Sequence, residues 1–307
     1  MQRQVGTMKL CAGLCLLLAP SGCAVSPLSQ RATAFSTAAT AATLQVKNAY
    51  QLVEQAYEDA QMASLVNQFD TKGFDPGSIQ PLLADADMKA RTQMLEGLTQ
   101  YASLLAEVSG NTQITELDKE SEALGTSLEA LSKNAPLKAV ATNANMESGA
   151  AAAAVDALGR LLMERKTAKD LPSILESAQK PVDDICTLLE QDIGTVEGTG
   201  LRNEFRDKYV ELIADQRTYI LTNEAKMTAA EKRTEIGKLP QLVTAEKQGD
   251  AALAQTQAAL KQLAATNDAL TQTKKDKDAP AFKAMVSQLV AQGQQLGTVY
   301  SAVGSKK

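Results

Sequence analysis

From Val46 onward, the apolar residues of this chain recur three and four positions apart, the spacing that gathers them on one face of an α-helix. No segment alternates apolar and polar residues for long enough to make a strand. Composition points the same way. Hydrophobic residues make up 44% of the 307, enough for a core, but aromatics are only 4% and tryptophan is absent. Much of the apolar content is alanine, which suits close-packed helices better than a sheet built on β-branched and aromatic side chains. The sequence predicts an all-α protein, an elongated antiparallel helical bundle of about seven to eight helices, built as one bundle or as two packed sub-bundles.

The first helix is expected over 31–69; its early part is rich in Thr and Ala, and its stripe is firm at Val46, Tyr50, Val53 and Tyr57. Gly73, Pro76 and Gly77 end it. A second helix is expected over 78–108, with Ser78 as its cap, Pro81 in its first turn and a seam through Met94, Leu98, Tyr101 and Leu105. A third runs over 112–133, with Ser121 in one core slot, before Asn134 and Pro136 break the chain. Helices follow over 146–169, over 172–196 with a kink at Pro181, and over 201–227. Thr228 and Glu231 have capping-box spacing at the start of the seventh. From Leu239 a heptad continues through Leu242, Leu253, Leu260, Leu263 and Leu270, and the polar or small residues Glu246, Gly249, Thr256 and Asn267 hold its other slots. The charged loop Lys274–Asp278 precedes a last helix over 280–303.

The front of the chain carries a different signal. Arg3 and Lys9 precede an apolar run, Leu10–Leu18, and small residues then lead to Cys23. A positive start, a short apolar run and a small-residue cleavage site define a secretory signal. The run is about half of the roughly 20 residues a spanning helix needs. Ser21, Gly22 and Cys23 resemble the lipobox of bacterial lipoproteins, with Pro20 where that family usually has leucine. The resemblance implies that Cys23 is lipidated and becomes the first mature residue. Ala24, Val25 and Ser26 include no aspartate, which by the same resemblance implies an outer-membrane anchor facing the periplasm. The expected organisation is a signal peptide over 1–22, a tether over 23–30, an N-terminal helical bundle over 31–170 and a long-helix bundle over 171–307.

Several chemistries are excluded. The chain has no histidine, which removes Ser-His-Asp and Cys-His catalysis, His-ligated zinc and the Glu-x-x-His di-iron motif. Its net charge of −5 and its lack of a basic stripe with interleaved aromatics argue against nucleic acid as a partner. Once Cys11 and Cys15 leave with the signal and Cys23 is acylated, Cys186 stands alone and reads as a small core residue. The acid clusters Asp183–Asp184, Glu54/Glu58/Asp59 and Glu120/Glu122 read as solvated helix faces, and the six tyrosines as core with their hydroxyls at the rim. Gly198-Thr199-Gly200 follows a helix and lacks the lysine of a phosphate loop, so it reads as a helix–helix turn. Neither a cofactor nor a metal is implied. Gly149–Met163 faintly resembles the apolar hairpins of α-helical pore-forming toxins, but Asp156 and Arg160 interrupt it.

These readings converge on a lipid-anchored envelope protein without enzymatic activity, acting as a binding or scaffolding component toward the membrane and an envelope protein partner. Glu246, Gly249, Thr256 and Asn267 are its expected partner-facing slots. Two alternatives stay open: a helical pore-forming or membrane-remodelling protein, and an envelope ligand sensor or carboxylate-based hydrolase.

Overall fold

The computed structural model describes residues 27–73, 75–110, 115–164, 171–194, 200–272 and 279–304. The signal stretch, Cys23, Gly198–Thr199 and the loop Lys274–Asp278 lie outside the described residues. Among the described residues there is no strand, and the regular structure is helical: α1 (Pro27–Lys72), α2 (Asp85–Gly110), α3 (Thr115–Ser132), α4 (Ala135–Asn143), α5 (Ser148–Glu164), α6 (Leu171–Ile193), α7 (Leu201–Asn223), α8 (Ala229–Gln272) and α9 (Ala279–Gly304).

The strut of the molecule is α1, with 46 residues. At 1.5 Å per residue it is about 69 Å long. It begins inside the stretch 23–30 that the sequence assigns to a tether. Proline has no N–H to satisfy, so Pro27 opens the helix readily. Packing holds the first turns in place, since Ser29, Ala32 and Phe35 are buried. Further along, α2 and α9 flank the strut. The Thr43 and Thr99 hydroxyls meet at 2.8 Å, and a Cβ at Gly293 of α9 would lie 3.2 Å from the Ala41 methyl. Near its C-terminal end α1 meets α7, where the Asn67 side-chain amide donates to the Asp215 carbonyl at 3.0 Å. Buried side chains from both sides of position 170 belong to one core, and α8 touches α1, α6, α7 and α9.

Three further boundaries differ from expectation. The second helix starts at Asp85, not at Ser78. Pro76–Ser78 form a single 3-10 turn, and the chain to Ala84 is pinned against α1. There the Glu54 carboxylate accepts the backbone N–H groups of Leu82 and Leu83 at 3.0 and 2.7 Å. Gln61 donates to the Gln80 carbonyl at 2.7 Å and accepts its N–H at 3.0 Å. These bonds satisfy groups that would otherwise need a helix partner. The chain does break after Ser132, but a further helix that the sequence reading leaves out, α4, begins at once, with Asn134 at its N-cap and Pro136 in its first turn. Finally, α7 ends at Asn223 and a 3-10 turn over Glu224–Lys226 leads into α8. The capping box forms there: the Thr228 N–H donates to Glu231 Oε2 at 2.8 Å and the Glu231 N–H to Thr228 Oγ1 at 3.3 Å.

Two close approaches depend on glycine. The backbones of α3 and α5 meet at Gly125 and Gly159, where a Cβ on Gly159 would lie 2.8 Å from the Gly125 carbonyl oxygen. At the α6–α7 turn Gly200 has φ 91°, and a Cβ there would lie 2.5 Å from Gly194 Cα. Helix α6 continues through a buried Pro181 and α8 through Pro240. No described helix is long and apolar enough to cross a membrane.

Candidate functional site

Charged side chains reach the deepest interior at one node. Arg91 of α2 clasps Asp192 of α6, Nε to Oδ2 at 2.7 Å and Nη2 to Oδ1 at 2.6 Å, with the two side chains 2% and 0% exposed. Asn143 of α4 donates to the same Oδ1 at 2.7 Å and to the Asp192 carbonyl at 3.0 Å. Tyr50 of α1 lies under the guanidinium, 5.6 Å from its ring centroid. Burial opposes the charge on Arg91, yet the Asp192 carboxylate more than offsets it and the guanidinium pKa is raised. The Tyr50 hydroxyl is buried beside the pair, and burial, reinforced by Asp192, pushes its pKa well up. This node has no open face and its carboxylate oxygens are occupied, so it ties four helices together without offering a reactive group.

The polar slots of the α8 seam also find their contacts within the chain. Gly249 is buried against the Phe205 ring, which leaves no room for a Cβ. Thr256 Oγ1 and Tyr300 Oη are 2.6 Å apart, joining α8 to α9. Tyr101 of α2 donates to Asn267 Oδ1 at 2.8 Å, while Asn267 Nδ2 is buried with no partner among the described residues. Glu246 is half-buried and, after burial itself and Asp59, helps push Tyr209 up to about 12.

The other sequence candidates occupy ordinary positions. Cys186 is fully buried in the core, and burial, reinforced by Asp183, pushes its thiol far above the usual range. Glu54 departs from the solvated-face reading because it anchors the Leu82–Leu83 backbone. Asp184 accepts from Lys180, and Glu120 and Glu122 are exposed. Tyr50, Tyr101, Tyr209 and Tyr300 are buried, whereas Tyr57 and Tyr219 are half-buried. The Gly149–Met163 stretch lies in α5, whose Ala151, Ala154, Val155 and Leu158 face the core. Among the described residues no group of three or more Cys, Asp or Glu side chains could hold a metal.

Among the described residues a groove of about 620 Å³, built with helical regularity, lies between α1, α2 and α3. One wall is Thr40, Thr43, Leu44 and Lys47 of α1, and the other is Glu120, Ala123, Leu124 and Ser127 of α3. The floor is Thr92, Leu95, Glu96, Thr99 and Gln100 of α2. Each helix thus contributes one face over two turns. The Thr hydroxyls are already engaged, since Thr40, Thr43, Thr92 and Thr99 lie 2.9–3.0 Å from the carbonyls of Ser36, Ala39, Met88 and Leu95. What the groove offers is therefore mostly methyl and aliphatic surface. Leu44 is 53% exposed along it, and Lys47, Glu96 and Glu120 are exposed at its rim.

No family model matches the chain, and no curated protein or solved structure matches it. Function must be argued from these surfaces.

Proposed function

We propose that the chain is a lipid-anchored cell-envelope protein that works by contact, as a binding or scaffolding component, and not as an enzyme. Acylation at Cys23 holds it to the inner leaflet of the outer membrane, with the body in the periplasm. The body is an elongated antiparallel bundle whose parts, 31–170 and 171–307, share α1 as a common strut. The observation that supports this reading most is the position of that strut. Its first residue, Pro27, follows Cys23 by four positions, and its first turns are packed into the core. Four residues span at most about 14 Å, so any anchor at Cys23 couples directly to a rigid helix. Two or more acyl chains, at about 0.8 kcal/mol per buried methylene, give stable attachment. Contact through Glu246 could use its half-exposed side chain, whereas contact through Gly249, Thr256 and Asn267 would require α8 to part from α7, α9 or α2.

The test is fractionation of cells expressing the chain and its Cys23→Ser variant. The native chain is expected in the membrane fraction and the variant in the soluble one. Retention of the variant with membranes would sink the anchor.

A further inference from the structure

We propose that the groove between α1, α2 and α3 receives an amphipathic helix of a partner protein, one with an apolar ridge flanked by lysine or arginine. This rests on the contact-based reading above and names its site.

Shape carries the first part of the argument. The α1 wall residues 40, 43, 44 and 47 and the α3 wall residues 120, 123, 124 and 127 have the same spacing, and both helices run antiparallel to α2. The Thr43–Thr99 contact sets the register of α1 on α2, and the bond from Gln100 Nε2 to Ser121 Oγ, 2.8 Å, sets that of α3. The α1 and α3 walls therefore run in the same direction on either side of α2. The groove is two turns long, about 10 Å, and open along its top. A guest ridge at i, i+3, i+4 and i+7 matches that length and spacing.

Chemistry carries the second part. Because Thr40 and Thr92 donate within their own helices and Thr43 and Thr99 are tied to one another and to their own helix carbonyls, the floor and walls reward aliphatic side chains and give no fixed set of polar groups to orient a small polar ligand. The rim then selects by charge. Among the residues that line the groove, the carboxylates Glu96 and Glu120 outnumber the cation Lys47, on a chain with net charge −5. Cationic flanks on the guest meet carboxylates at close range and an attractive field at long range, whereas an acidic guest meets repulsion.

The probe is a synthetic helical peptide with leucines at i, i+3, i+4 and i+7 and lysines on its flanks, compared with the same peptide carrying glutamates for the lysines. It is titrated into the full chain with methyl-labelled Leu, Thr and Ala. The lysine peptide is expected to shift the methyls of Thr40, Leu44, Ala123 and Leu124, and to bind about tenfold more tightly than the glutamate peptide. The exposed double variant Glu96→Lys/Glu120→Lys is expected to reverse that order without altering the fold, and Lys47→Glu to tighten the lysine peptide. Four results would overturn the proposal: no binding of the lysine peptide, equal binding of both peptides, shifts confined to another face such as that of the exposed Leu221, or the same groove methyls moving with protein concentration or anionic vesicles alone. These readouts do not depend on where the chain fractionates, so failure of the groove and failure of the anchor remain separable.

Discussion

Replacing Asp192 by asparagine keeps the shape of the side chain and removes its charge, leaving the Arg91 guanidinium buried with no counter-ion. Arg91 is 2% exposed and its partner 0%, so water cannot take the place of either. Breaking a buried pair from one side costs about 3–5 kcal/mol, a large part of a total stability of roughly 5–15. The complementary change, Arg91→Met, keeps the aliphatic stem but strands the carboxylate without its cation, beside the Asn143 amide at 2.7 Å. It should cost a similar amount. Combining the two removes both charges and lets an amide at position 192 still accept from Asn143. The double variant is expected to lose only about 1–2 kcal/mol, far less than the summed single effects. Urea unfolding at neutral pH reads these numbers. With a slope of about 3 kcal/mol per molar, each single variant should lower the midpoint by about 1–1.7 M and the double by about 0.5 M. Additive single effects, or single losses below about 1 kcal/mol, would refute the assignment of this pair as a buried, mutually dependent tie.

Two further predictions follow from close contacts and buried hydroxyls. Gly159→Ala should destabilise the fold by about 1–2 kcal/mol, because the new Cβ would meet the Gly125 carbonyl at 2.8 Å. The same change at Gly237, with nothing within 4 Å, should instead stabilise α8 by up to about 1 kcal/mol; equal shifts in melting temperature would contradict the packing at Gly125. Burial raises the pKa of Tyr50, Tyr101 and Tyr300 and pushes Tyr209 up to about 12. Since unfolded tyrosine ionises near 10, the stability these hydroxyls contribute is fully present below about pH 10 and is lost as pH rises through the folded values. Urea midpoints should therefore hold from pH 8 to 9 and fall above 10, with tyrosinate absorbance appearing on unfolding; a midpoint at pH 11 equal to that at pH 8 would count against it.

The helical period was legible because it repeats over every long element, and the stripe residues Tyr50, Met94, Leu98, Leu128, Leu158, Ile185 and Leu260 are all buried. Helix starts were less legible where a distant side chain decides them. Nothing local in 78–84 announces that Glu54 and Gln61 will take its backbone groups. The Arg91–Asp192 pair does leave a signal in the sequence. Arg91 is in phase with Met94, Leu95 and Leu98, and Asp192 with Ile185, Leu188 and Leu189, so each is a charge on an apolar stripe. A charge in that position must be paired or coordinated. The groove was hidden for the opposite reason. The Thr-rich early part of α1 looks like weak helix, and only the back-bonding of its hydroxyls turns Thr40 and Thr43 into apolar lining.

The polar residues of the core also explain how so smooth an interior keeps one arrangement. Alanine and leucine faces pack acceptably at several offsets, so volume alone specifies register poorly. Here a different polar contact fixes many of the helix pairs: Thr43 with Thr99 for α1–α2, Arg91 with Asp192 for α2–α6, Tyr101 with Asn267 for α2–α8, Thr256 with Tyr300 for α8–α9, and Arg202 with Asp250 for α7–α8. A slip of one turn, about 5.4 Å, would break any of them and bury its halves unpaired. The seam slots that read as weakness in the sequence therefore act as register marks. The same ties account for the groove. Thr43–Thr99 and Gln100–Ser121 hold α1 and α3 each to α2, and the Gly125–Gly159 crossing draws α3 toward α5, so the facing walls of α1 and α3 stay apart over two turns.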